Sequence, residues 1–161
     1  MKILYLIKSR EFPYHKEIIK DFLVHVPGEV YDLSEGDPDL IYKDMETLNP
    51  DVVITFDYTG YEFRTISDTL SLNNMYAKMA HILFHKASYY GRKLYDRQNL
   101  SMFTFLPKGE NIEACREQYR EVPNISEFGE FYYRASNERE HSINQDTVTN
   151  WWEQFKKEAM I

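Results

Sequence analysis

The sequence predicts an α/β protein: a three-layer, Rossmann-like open sheet, mostly parallel, of about six strands with helices on both faces. Three observations predict it. Runs such as Asp51–Phe56 (DVVITF) are apolar on both alternating faces, which suits strands covered by helices on each side. These short runs alternate with longer stretches of helical periodicity along the chain. The connections between them are a few residues long and carry Pro, Gly, Asn and Asp, as βαβ crossovers require.

The elements follow in order. Lys2–Ile7 (KILYLI) reads as a buried first strand. Phe12–Val24 reads as a helix because Ile18, Ile19, Phe22 and Leu23 recur at helical spacing, with Pro13 in its first turn. Pro27-Gly28 turns into a short strand, Glu29–Leu33. Asp37 is placed to cap a second helix that begins at Pro38, turns Leu40, Ile41, Met45 and Leu48 inward, and stops at Asn49-Pro50. Asp51–Phe56 is the third strand. Glu62–Leu72 is a third helix, Lys78–His85 a fourth strand and Ser88–Gln98 a short polar helix. Leu100–Leu106 is a fifth strand, Asn111–Glu121 a helix, and Ile125–Phe128 a sixth strand. Residues 130–144 are polar and read as a connection. Residues 145–160 close the chain as a helix packed on the body, since Val148, Trp151, Trp152 and Phe155 form an apolar stripe and adjacent indoles are poor solvent-facing groups. The whole of 1–161 reads as one domain.

Composition narrows the function classes. The net charge is −7, from 26 acidic and 19 basic residues, which argues against a nucleic-acid-binding role. No stretch reaches the roughly 18 apolar residues of a membrane span. The apolar run at Met1–Ile7 is too short for the core of a secretory leader, and no small-residue cleavage site follows. A single cysteine, Cys115, leaves no internal disulfide. The expectation is a cytoplasmic protein that touches neither membrane nor nucleic acid. Aromatic residues make up 16% of the chain, with 13 Tyr and 10 Phe. They suit a Tyr-rich core rim, a groove for a planar or sugar ligand, or an oligomer interface.

In open α/β sheets ligands bind beyond the carboxyl ends of the strands. That rule selects the candidate ligand-binding residues: Lys8 and Arg10 after the first strand, Asp57, Thr59 and Gly60 after the third, and His85 at the end of the fourth. Lys8 and Arg10 are potential anion donors, or simply solvated charges at a strand end. Gly60 permits close backbone approach, and the following helix start suits an anion. Asp57 and His85 are the catalytic candidates, as base and orienter. The plainer alternative is that Asp57 or Thr59 caps the helix. His81 and His85 lie about 13 Å apart along a strand, too distant to share a metal, so no metal site is expected. His81 reads as a hydrogen-bonded core histidine. The loop Lys8-Ser9-Arg10-Glu11-Phe12-Pro13 has neither the glycines of a dinucleotide fold nor the Gly-Lys-Ser/Thr of a P-loop. No nucleotide or flavin cofactor is therefore expected. Cys115 reads as a structural thiol.

The ordering of PDVVITFDYTGYEFRT, KMAHILFHK and NLSMFTFLPKG resembles the N-terminal half of GT-B glycosyltransferases, and more narrowly CgeB-type spore-maturation proteins, over residues 1–130. The resemblance implies an acceptor-binding half, with Asp57, Thr59, Gly60 and His85 lining the acceptor side. The donor-binding half would come from a partner subunit. Two readings stay open. One is a glycosyltransferase-like binding module that works with a protein partner or as a homo-oligomer and takes a small hydroxylated ligand. The other is a small enzyme acting on a hydroxylated or anionic metabolite.

Overall fold

The computed structural model describes residues 1–58, 77–84, 102–107, 125–129 and 145–161. Within them lie six strands, β1 (Ile3–Ile7), β2 (Glu29–Asp32), β3 (Val52–Phe56), β4 (Lys78–Ile82), β5 (Met102–Pro107) and β6 (Ile125–Gly129). Three helices are α1 (His15–His25), α2 (Pro38–Leu48) and α3 (Gln145–Ala159). The helices expected over 62–72, 88–98 and 111–121 and the connection 130–144 fall outside the described residues.

The strands form one sheet in the order β2-β1-β3-β4-β5-β6, and every neighbouring pair runs parallel. The expected α/β class holds. The chain winds outward from β1 to β2, then returns past β1 to β3 and continues to β6. This is the flavodoxin-like order of a doubly wound sheet, extended by a sixth strand, and its direction reverses between β1 and β3. Right-handed crossovers then place α1 and α2 on opposite faces.

Both faces are buried, as the unbroken apolar runs require. Tyr5, Ile54, Phe56, Ile82 and Phe105 face α1 and α3 in one aromatic-rich core. Phe22 of α1 meets Phe56 at 4.9 Å and Trp151 at 5.5 Å between ring centroids. Trp151 also stacks on Phe155 at 5.9 Å, and both are fully buried. This anchors α3 on the sheet and explains the indole pair: Trp151 is core, while Trp152 is only partly covered. On the opposite face Leu4, Leu6, Val53 and Met79 are equally buried.

Element ends follow local chemistry. α2 starts where Asp37 Oδ1 accepts from the Asp39 amide, and ends at Asn49, left-handed at φ 47°. α1 begins at His15, three residues later than the periodicity suggests. Pro13 therefore precedes the helix, in a turn closed by the His15 amide donating to the Phe12 carbonyl at 3.0 Å. Gly28 is needed for closeness: a Cβ there would lie 2.6 Å from the Ile3 carbonyl oxygen.

Candidate functional site

The reversal between β1 and β3 brings the ends of β1, β2, β3 and β4 together. What gathers there is a set of polar groups that satisfy one another. Asp57 follows β3 with no solvent exposure and a left-handed backbone, φ 55°. Asp is one of the few residues that tolerate this conformation. Its amide continues the sheet ladder to the Ile82 carbonyl at 2.9 Å. Its carboxylate turns inward. Oδ1 accepts from the Phe84 amide at 2.9 Å, and Oδ2 accepts from the Tyr14 hydroxyl and from His15 Nε2, the latter at 2.8 Å.

The tautomer of His15 follows from its partners. Nδ1 accepts the Lys8 amide at 2.9 Å, so the ring proton sits on Nε2 and points at Asp57. One buried imidazole thus links the β1 loop to the β3 end. Phe12, Tyr14 and Phe56 pack around it with centroids at 5.2, 5.0 and 5.6 Å.

A second network ties the β1 loop to β2. Asp32 Oδ1 accepts the amides of Ser9 at 3.1 Å and Ser34 at 2.9 Å, and Oδ2 accepts the Ser9 hydroxyl. Burial opposes the Asp32 charge, but these donors and the Lys16 ammonium outweigh it and hold the carboxyl below its usual range. Arg10 donates its amide to Ser34 Oγ at 2.9 Å and its guanidinium to the Ser34 carbonyl at 3.0 Å. The successive amides of Lys8, Ser9 and Arg10 are therefore spent on His15, Asp32 and Ser34. In a doubly wound fold, this loop is where backbone amides would receive a phosphate. Here the Asp32 carboxylate takes the anion's place.

The candidates predicted from sequence divide accordingly. Lys8 is buried, its ammonium 3.4 Å from Glu11 and over the rings of Phe12 and Tyr58 at 5.3 and 5.4 Å. Arg10 is exposed on the loop. Asp57 is inside the fold rather than on a lip. Thr59, Gly60 and His85 lie outside the described residues, as does Cys115. Tyr14, His15, Asp32 and Ser34 complete the networks and were not singled out by sequence; their signal was position, since Tyr14 and His15 stand where the β1 loop enters α1, Asp32 ends β2 and Ser34 follows it. His81 is buried on the α2 side, with Nδ1 2.6 Å from Thr55 Oγ1, and burial pushes its pKa down to about 3. Among the described residues, no group of three or more His, Cys, Asp or Glu could hold a metal ion. No helix among them is long and apolar enough to cross a membrane.

Fold and site together define a doubly wound parallel α/β protein whose switch point is closed by its own side chains. Comparison with protein-family models, with curated proteins and with solved structures finds no match.

Proposed function

We propose that the chain is a glycosyltransferase-like α/β binding module that binds a hydroxylated ligand and works with a protein partner or as a homo-oligomer. The observation that supports a binding module over an enzyme is the internal satisfaction of the switch point. The amides that would receive a nucleotide's phosphates are held by His15, Asp32 and Ser34. The carboxylate that would serve as base is buried under Tyr14 and His15. A general base must reach its proton within hydrogen-bond distance. Asp57 reaches two side chains and an amide instead. The enzyme reading would need Asp57 uncovered and joined by His85.

A transfer assay separates the two. The chain alone, given a nucleoside-diphosphate sugar and a hydroxylated acceptor, is expected to show neither transfer nor hydrolysis. Turnover that disappears in Asp57→Asn would establish the enzyme reading in its place.

A further inference from the structure

A groove of about 570 Å³ opens beside the carboxyl end of β2, one of the two edge strands among the described residues. Sites for small molecules usually enclose about 300–1,000 Å³. One wall is α1, the other the loop after β2, and the edge strand lies between them. We propose that this groove binds a neutral polyhydroxylated ligand, a saccharide. The proposal rests on the reading of the chain as a binding module and assigns its ligand a place away from the Asp57 network.

The charges lining the groove select the ligand class. Lys16, Glu17 and Lys20 line it from α1, Asp32 from the end of β2 and Glu35 from the loop that follows. Lys16 is paired with Glu35, and Asp32 with Ser9 and Ser34, so the lining mixes both signs and presents no single-sign face to an anion or a cation. A hydroxyl donates and accepts at once, so a polyol pairs with both kinds without opposing either. Tyr31 adds a half-buried ring to the lining, an apolar surface for the C–H face of a sugar.

The polar groups are also held in advance. Asp32 is fixed by the three donors from Ser9 and Ser34, and a carboxylate has about four acceptor sites, so one remains for a ligand. Lys16 pairs with Glu35, tying α1 to the loop. Gly36 leaves the lining open: a Cβ there would make ordinary contact with the Ile41 side chain at 3.4 Å and the Asp32 carbonyl oxygen at 3.9 Å. Groups ordered before binding lose less freedom when the ligand arrives.

The test is an amide-resolved NMR titration of the full chain with glucose, neutral disaccharides and glucose 6-phosphate. Saturable shifts at Lys20, Tyr31, Glu35 and Gly36 are expected from at least one neutral sugar. Glucose 6-phosphate should bind more weakly than glucose. Gly36→Phe, which fills the groove, and Lys20→Ala, on the helix surface, should each weaken binding roughly tenfold, about 1.4 kcal/mol, with an unchanged circular-dichroism spectrum. No shift in the groove from any neutral sugar overturns the proposal, as does tighter binding of the phosphate or full affinity in Gly36→Phe. Sugar-induced shifts centred on Asp57 overturn the groove and leave the module reading standing. Groove shifts accompanied by turnover in the chain alone uphold the groove and overturn the module reading.

Discussion

Asp57 shows how one residue's role depends on what surrounds it. Its position after β3 is legible in the sequence, because a carboxylate at the end of an apolar run in an α/β protein falls at the strand ends where ligands bind. Its burial is not legible, because Tyr14 and His15 reach it across 43 and 42 residues. Removing the carboxylate leaves the Tyr14 hydroxyl, the His15 Nε2 hydrogen and the Phe84 amide without it. Each unsatisfied buried donor costs about 1–3 kcal/mol. Asp57→Ala is therefore expected to lower stability by about 3 kcal/mol or more. Tyr14→Phe removes one charge-assisted bond and should cost about 1–3 kcal/mol. Urea denaturation checks both; two near-neutral variants would mean the network contributes little to folding. His81 gives a pH signature. Its folded pKa of about 3 lies below the ordinary 6.5, so between those values the unfolded chain binds a proton that the folded chain does not. Stability is then intact above about pH 6.5 and is lost as pH falls, with a slope approaching about 1.4 kcal/mol per pH unit. Asp32, with its lowered pKa, adds loss in the same direction at more acid pH. His81→Gln should flatten the pH dependence of the urea midpoint between about pH 6 and about pH 4 relative to the parent chain. Equal slopes would contradict a neutral buried His81.

Elements were the most readable scale. α2 begins and ends at the expected residues because Asp37, Pro38 and Asn49 are local signals with local consequences. β3 was legible because β-branched residues fill both its faces. α1 starts later than its periodicity implies: Phe12 and Tyr14 are apolar and buried, yet they belong to the loop that closes over Asp57. Periodicity registers burial and does not distinguish a helix from an apolar loop leading into it. β4 ends at Ile82, short of the expected His85, because the Phe84 amide leaves the ladder to meet Asp57. The two indoles of α3 make the element's role testable. Trp151 is buried among Phe22, Phe105 and Phe155, so Trp151→Ala should cost about 3–5 kcal/mol. Trp152 is partly exposed, and Trp152→Ala should cost clearly less. Comparable losses in thermal or urea unfolding would place the wrong indole in the core.

At the scale of the whole molecule, the sheet order locates the switch point and the side chains decide what it can do. The absence of a glycine-rich loop after β1 was visible in the sequence and argued against a dinucleotide or P-loop site. Its physical consequence was not visible, since no sequence pattern announces that Asp32 will dock on Ser9 from the neighbouring strand. The chain's own groups occupy the phosphate position of a doubly wound fold. A direct measurement is an amide-resolved NMR titration with a nucleoside diphosphate, a nucleoside-diphosphate sugar and flavin mononucleotide, followed at Lys8, Ser9 and Arg10. Those amides are expected to stay in place with all three ligands in the parent chain. Saturable shifts there, at micromolar ligand and with Asp32 intact, would contradict the account.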